Sequence, residues 1–311
     1  MTTTVLFDST PDRWAEYQAP LTRALAATGL DVRLGTEFPA AEIDYIVYAP
    51  GGATDHDFSQ HPNLKAVLSL WAGIETIIAN PTLTVPLARM VDHGLTRGMV
   101  EWVTGHVLRH HLEMDRQLFG QDGIWRKGAP PLAQDRRVTI LGLGTLGTEC
   151  ALALHTLGFP VTGWSRSAKS VNGITCLHGD EGLDQALASA DILVLLLPDT
   201  PATQDILNAR TLALLPQGAT VLNPGRGALI DDAALLAALD NGHIAHATLD
   251  AFRVEPLPAD DPYWAHPKVT VTPHIASETR ASTASEVIAE NIRRGEAGEP
   301  LLHLVDRSLG Y

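Results

Sequence analysis

The stretch VTILGLGTLGTECALALHTLGFPVTGWSRSAKS, residues 138–170, decides how this chain is read. A short apolar run, Val138–Leu141, leads directly into Gly142, Gly144 and Gly147. A segment with an apolar face of Leu146, Cys150, Leu154 and Leu157 follows. The order is strand, glycine turn, helix. Gly142 suits the tight turn, Gly144 lets backbone approach a pyrophosphate, and Gly147 lets the helix sit close on the strand. A helix starting near Thr145 and Leu146 aims unpaired amides and a positive dipole end at phosphate. A second strand, Pro160–Trp164, lies at the spacing of a dinucleotide-binding unit. Sites selective for a free ribose 2′-hydroxyl place a carboxylate where this strand ends. Here the chain reads Ser165, Arg166, Ser167, with Lys169 nearby. Hydroxyl donors and a planar guanidinium suit a 2′-phosphate. NADP(H) is therefore expected to be preferred, with NAD(H) the second cofactor. The competing reading makes Arg166 a solvated side chain that stacks on adenine.

Outward from this unit, 311 residues suggest two domains. Apolar residues make up 45% and charged residues 19%, an ordinary globular balance. A net charge of −14 argues against general binding to nucleic acid or anionic membrane. Only Cys150 and Cys176 are present, which argues against a disulfide framework or a cysteine zinc site. The N-terminus has no basic segment followed by an apolar one, and the longest apolar run is ILVLLL at 192–197. A cytoplasmic location is expected.

Strand and helix signals alternate along the chain, the pattern of an α/β protein with parallel sheets. Before the glycine unit, strands are predicted at Val5–Phe7, Ile43–Tyr48, Ala66–Leu70 and Leu87–Val91, with helices at Pro11–Ala27 and Met99–His111. After it, strands are predicted at Ile192–Leu197, Thr220–Asn223, Ile244–Leu249 and Lys268–Thr272, and helices at Leu183–Ala188, Asp231–Leu239 and Ser277–Arg294. About a hundred residues precede the glycine unit, so both chain ends are free to form one domain with the dinucleotide unit inserted between them.

Three later segments carry side chains suited to chemistry. VLNPGRGALIDDAAL (221–235) sets Arg226 between two glycines just past a strand. LDAFRVEPLP (249–258) carries Glu255, and VTVTPHIASETR (269–280) carries His274 straight after a strand. All three lie beyond strand C-termini, where open α/β sheets bind ligands. Taken singly, a surface arginine, a turn acid and a loop histidine explain them. Taken together, downstream of a nicotinamide-binding signature, they fit carbonyl reduction. The alkoxide left by hydride transfer needs a proton, and histidine is the acid suited to neutral pH. A carboxylate orients the imidazole, and an arginine binds a substrate carboxylate and polarises the carbonyl.

The motifs LGLGTLG, LLPDTPATQDILN, LLPQGATVLNPGRGALID, ALDNGHIAHATLDAFRVEPLP and HPKVTVTPHIAS are similar to those of the D-isomer-specific 2-hydroxyacid dehydrogenase family. The spacing matches too, with 29 residues from Arg226 to Glu255 and 19 from there to His274. WSRS, DPYWAHP and the terminal VDRSLGY point within the family to the short glyoxylate/hydroxypyruvate reductase A type. The resemblance implies two Rossmann-like domains, one flavodoxin-like and one dinucleotide-binding, with a cleft between them. It implies a discontinuous substrate domain, residues 1–97 and 273–311, and a dinucleotide domain, residues 98–272. It also implies a homodimer, with the helix from Met99 and the following loop at the interface.

In residue terms, the resemblance implies that Arg226 holds the substrate, Glu255 pairs with His274, and His274 donates the proton. Asp250 would meet the nicotinamide carboxamide (a helix cap is its plainer reading), and Pro198 and Thr203 would lie along the cofactor. In LSLWAGIET (68–76), the amides of Ala72 and Gly73 could hold a substrate carboxylate where a strand gives way to a helix. Trp71 stands where the family commonly has glycine, and filling that space would favour small acids. Pro224 stands where alanine is more usual. The expected activity is NADPH-preferring reduction of glyoxylate, hydroxypyruvate or a close relative. Reduction of larger 2-oxoacids of the phenylpyruvate type, and a dinucleotide-sensing binding protein with vestigial activity, are the competitors. No metal is expected. Cys150 reads as a packing residue, Asp231 and Asp232 as helix caps, and Arg109–His111 as a solvated helix end.

Overall fold

Apolar runs bounded by glycine and proline turns assemble into two parallel sheets in the computed structural model, which describes residues 2–50 and 56–307. The last four residues of VDRSLGY lie outside the described residues. The chain divides into two compact units, Met1–Leu95 with Glu278–Tyr311, and Thr96–Ser277.

The first unit holds strands β1 (Thr3–Asp8), β2 (Val32–Gly35), β3 (Tyr45–Tyr48), β4 (Ala66–Ser69) and β5 (Leu87–Ala88). Their spatial order is β2-β1-β3-β4-β5, all parallel. That is the flavodoxin-like order of a doubly wound sheet. Helix α1 (Pro11–Ala27) opens with proline in its first turn, and the Thr10 hydroxyl accepts from Arg13 N–H. Tyr17, Leu21 and Leu25 on its inner face pack with Val5, Phe7 and the apolar face Ala284, Ile288 and Ile292 of the helix Ala281–Glu296. The short α2 (Glu75–Ile78) covers the other face with Ile74 and Ile77.

The second unit contains most of α3 (His93–His111), then α4 (Met114–Leu118), β6 (Val138–Leu141), α5 (Thr145–Thr156), β7 (Val161–Ser165), β8 (Thr175–His178), α6 (Gly179–Ala188), β9 (Ile192–Leu195), α7 (Ala209–Leu212), β10 (Ala219–Asn223), α8 (Asp232–Asp240), β11 (Ile244–Leu249), α9 (Pro262–Ala265) and β12 (Val269–Val271). The sheet order is β12-β11-β10-β9-β6-β7-β8. Reversal of direction between β6 and β9 makes a topological switch point, where such sheets bind ligands beyond the strand C-termini.

Several boundaries differ from the sequence expectations. β2 and β8 are short edge strands, half exposed and without an apolar run, so periodicity does not reveal them. Helix α3 begins at His93, six residues before the predicted Met99. Gly94 and Gly98 dilute its periodic signal, while the Asp92 carboxylate accepts from the amides of Gly94 and Leu95 and starts the helix. The second unit runs from Thr96 to Ser277, so residues 96–97 and 273–277 group with it, whereas the sequence reading draws the division at 97/98 and 272/273. Ala276 is buried in the core beneath α3, which anchors that segment.

The reading of Arg109–His111 as a solvated helix end is corrected. His111 is buried, and the His110 ring bonds Thr248 Oγ1 at 2.9 Å. Arg109 pairs with Asp115 at 2.6 Å and also donates to Thr270 Oγ1. Burial pushes the imidazole pKa of His110 down to about 3 and that of its neighbour His246 to about 4, assisted by nearby positive charge. The end of α3 is thus a polar layer packed on β11 and β12.

Candidate active site

Four loops leave neighbouring strands at one edge of the second sheet: those after β9, β10, β11 and β12. The His274 backbone sits at φ +54°, a left-handed conformation uncommon for a residue with a side chain. Its N–H donates to Asp250 O at 2.9 Å and to Thr272 O at 3.0 Å, which holds it there. Its Nδ1 lies 2.7 Å from Glu255 Oε2. The other Glu255 oxygen accepts from the Phe252 amide at 2.8 Å, so the carboxylate is held on both sides. A carboxylate on Nδ1 places a proton there and leaves Nε2 as the nitrogen able to exchange one. The histidine side chain is about half exposed, at 48%.

Asp250 is only 1% exposed, and its carboxylate is committed to the histidine loop. It accepts from Thr272 Oγ1 at 2.6 Å and from the amides of Ile275 and Ala276, each at 2.9 Å. It is not a helix cap. It fixes the segment that carries His274.

Arg226 follows β10 with extended backbone and donates Nη1 to Gly225 O at 2.8 Å. Asn223, fully buried, shapes this loop by donating to Arg226 O and accepting from Gly225 N–H. A Cβ on Gly227 would lie 1.9 Å from the carbonyl carbon of Phe252, so the arginine loop and the Glu255 loop meet backbone to backbone. Asn223 and Gly227 are structural parts of the site that sequence reasoning passed over. Their signal is the NPGRG context itself, two glycines and a buried amide around one arginine.

The glycine turn has the form the sequence predicts. Gly142 sits at φ +110° with no room for a Cβ against Leu196 O, and a Cβ on Gly147 would overlap Gly142 O. Gly144 has open space where a Cβ would stand. It caps α5 with no side-chain bond, which leaves the first amides of a twelve-residue helix for an anion. A cavity of about 420 Å³ opens there, lined by Gly144, Thr145, Thr148, Glu149 and Lys169 among others. Leu146 is half-buried behind it. After β7, Ser165 is buried and its hydroxyl donates to Ser167 O, while Arg166 and Ser167 are exposed. Lys169 reaches back to Leu143 O at 2.5 Å, within the glycine turn. After β9, Thr203 Oγ1 donates to Pro198 O at 2.6 Å and accepts from the Thr200 amide. These features fit a dinucleotide: a helix terminus without a cap, a cradle without side chains, and cations at the ribose end.

In the first unit, Trp71 is half-buried beyond β4. Its N–H donates to Ser69 Oγ at 3.0 Å and its carbonyl accepts from Met90 N–H at 3.0 Å. Ala72 and Gly73 follow, also half-buried. Among the described residues no group of three or more His, Cys, Asp or Glu is placed to hold a metal ion, and no helix is long and apolar enough to cross a membrane.

Comparison with known proteins bears on this arrangement. Residues 103–276 match the model of the D-isomer specific 2-hydroxyacid dehydrogenase, NAD binding domain. The glyoxylate/hydroxypyruvate reductase A of Salmonella newport (strain SL254) is 40% identical over 256 residues, covering 80% of this chain and 82% of its own. A D-isomer specific 2-hydroxyacid dehydrogenase of Xanthobacter autotrophicus Py2, solved with NADPH and MES, is 42% identical with a TM-score of 0.93 and full coverage of both chains. The NADPH-dependent glyoxylate/hydroxypyruvate reductase of Sinorhizobium meliloti, solved with NADP and sulfate, is 35% identical with a TM-score of 0.85, covering 100% of this chain and 99% of its own.

Proposed function

This chain belongs to the D-isomer-specific 2-hydroxyacid dehydrogenase family, and we propose that it is an NADPH-preferring reductase of small 2-oxoacids, glyoxylate or hydroxypyruvate. One observation carries the catalytic reading: His274 Nδ1 lies 2.7 Å from Glu255, on loops adjoining the Arg226 loop. A nicotinamide cofactor, when bound, would supply the hydride. The chain's own residues bind, orient and protonate. Arg226 pairs with the substrate carboxylate and polarises the carbonyl through charge-assisted hydrogen bonds. His274 delivers a proton from Nε2 to the oxygen that becomes the alcohol, and Glu255 stabilises the imidazolium beforehand. Asp250 acts by fixing the His274 loop, and no contact with the cofactor is needed for that role.

Gly142, Gly144 and Gly147 with the first turn of α5 would hold the pyrophosphate, and Pro198 and Thr203 would border the cofactor. Arg166, flanked by Ser165 and Ser167 and with Lys169 near, favours a 2′-phosphate. The relatives solved with NADPH or NADP support that preference. On the first unit, the amides of Ala72 and Gly73 are candidates for the substrate carboxylate, with Trp71 restricting substrate size. The two units correspond to substrate and dinucleotide domains. The two cysteines, free in the structure, suit a reducing cytoplasm.

A homodimer accounts for one further feature. From the end of α4 to β6, Leu118, Phe119, Ile124, Trp125 and Leu132 are all 62% or more exposed, Trp125 reaching 87%. An apolar segment of this kind marks an association site, and a second copy of the chain is the partner proposed. Light scattering of the wild type and of Trp125→Asp tests it, the variant being expected to dissociate.

The decisive assay is steady-state oxidation of NADPH and NADH with glyoxylate, hydroxypyruvate and phenylpyruvate. Turnover of the small acids with NADPH is expected to give the highest kcat/KM. Equal or better kcat/KM with NADH overturns the cofactor reading, and preference for phenylpyruvate overturns the substrate reading. Absence of turnover with any of them favours a binding protein.

A further inference from the structure

We infer that Arg253 is a positioning residue that locks three loops of the catalytic edge into a single arrangement. Arg253 lies two residues before Glu255, on the loop after β11. Its Nε donates to Ile230 O at 3.1 Å. Its Nη2 donates to Ile230 O, to Asp205 Oδ1 and, at 3.4 Å, to Ala228 O. Asp232 Oδ2 stands 3.5 Å from Nε. These partners come from two other loops. Asp205 belongs to the segment after β9 that carries Pro198 and Thr203. Ala228 and Ile230 follow Arg226 on the segment after β10.

The same three loops are also tied to one another. Asp205 N–H donates to Ala228 O at 2.9 Å, Leu207 N–H to Leu229 O at 3.0 Å, and Asp231 N–H to Leu207 O at 2.9 Å. Gly227 presses directly on Phe252 and Arg253 backbone. Asp205 sits at φ +52°, a conformation that carries a cost for a residue with a side chain. Arg253 and the Ala228 carbonyl hold it there. A planar guanidinium is the one side chain that donates in several fixed directions at once, which a lysine ammonium does not reproduce. Asp205 and Asp232 supply the opposite charge, and Asp232 is itself held by Tyr263 OH at 2.9 Å.

Arg253 touches none of the reacting atoms in this scheme. It acts through the Glu255 loop, which aims the carboxylate at His274, and through the Arg226 loop, which presents the substrate-binding guanidinium. This role rests on the reading of Arg226, Glu255 and His274 given above.

The test compares Arg253→Ala, Arg253→Lys, Asp205→Ala and the double variant Arg253→Ala/Asp205→Ala with wild type. Readouts are kcat and KM for glyoxylate, NADPH affinity by fluorescence titration, and Tm. Displacement of a catalytic group by about 1 Å costs roughly a hundredfold in rate, so Arg253→Ala is expected to lower kcat/KM by about ten- to a hundredfold. Arg253→Lys should fall between it and wild type. The double variant should be little worse than Arg253→Ala, because both changes break one contact. With Glu255 and Arg226 less well aimed, the loss should appear in kcat and not in KM alone. Unchanged kcat in Arg253→Ala, whatever its Tm, overturns the inference. So do fully multiplicative losses in the double variant. If Arg253→Ala does not fold, Arg253→Lys and Asp205→Ala carry the same comparison. An inactive wild type defeats the parent reading alone, whereas an active wild type with an indifferent Arg253 defeats only this one.

Discussion

Acidification from pH 7 to pH 5 should destabilise this protein, and the histidines packed between the end of α3 and β11 are the reason. In the fold, burial holds His110 at about 3 and His246 at about 4, against an ordinary imidazole value of 6.5. Between those folded values and 6.5, the unfolded chain binds more protons than the folded one. Stability therefore rises with pH across that window, is fully present above it, and is lost as pH falls. For one histidine with a folded pKa near 3 or 4, linkage between pH 7 and pH 5 amounts to about 2 kcal/mol. Both rings are partly screened by solvent, which reduces the figure to about 1–2 kcal/mol each. The rings lie 4.9 Å apart, so a proton on one opposes a proton on the other. His61, His106, His111 and His303 are shifted downward by burial as well and add to the same trend. The Arg109 guanidinium holds the Asp115 carboxyl below its ordinary value. Urea unfolding at pH 7 and pH 5 should show wild type losing about 2–4 kcal/mol or more from these groups. His110→Gln/His246→Gln should lose less by the share of that pair. If the double variant and wild type show the same difference between the two pH values, the two imidazoles are not buried in their neutral forms and the reasoning fails.

The remaining predictions concern the site. His274→Ala should lower kcat by roughly 10²–10⁴-fold, read by steady-state kinetics, if the imidazole is the proton donor. Asp250→Asn replaces an acceptor with a donor facing the amide of Ile275 or Ala276 or the Thr272 hydroxyl, and should cost about 1–3 kcal/mol by denaturant unfolding while lowering kcat more than it raises KM. Gly227→Ala sets a methyl 1.9 Å from backbone of Phe252, so about 1–3 kcal/mol of overpacking and a fall in kcat/KM of roughly a hundredfold are expected, measured together by Tm and kinetics. Trp71→Gly should broaden activity toward larger 2-oxoacids in a substrate panel, and an unchanged profile removes Trp71 from specificity.

The α/β class, the glycine turn and the candidate trio of Arg226, Glu255 and His274 are legible in the sequence because each depends on local rules. A strand, three glycines at fixed spacing and a helix make one local structure whatever surrounds them. Arg226, Glu255 and His274 stand just after predicted strands, and parallel strands deliver their following loops to a common edge. Other features were not legible for a physical reason. β2 and β8 owe their existence to pairing with a neighbouring strand, and their own residues carry no apolar run.

What the sequence by itself determined is therefore the local vocabulary: which segments are strand or helix, where the glycine turn lies, and which titratable and cationic side chains follow the strands. The tertiary structure alone decided how those side chains are held. The sequence places Asp250 just past a strand, and only the fold shows its carboxylate meeting the amides of Ile275 and Ala276 on the histidine loop. Arg253 reads as an unremarked loop residue, yet strand order brings Asp205 and Ile230 to it from 48 and 23 residues away. His110 reads as a solvated helix end until β11 and β12 cover it. In each case the deciding interaction joins residues distant along the chain, and a hydrogen bond across such a distance depends on folded geometry that no local pattern encodes.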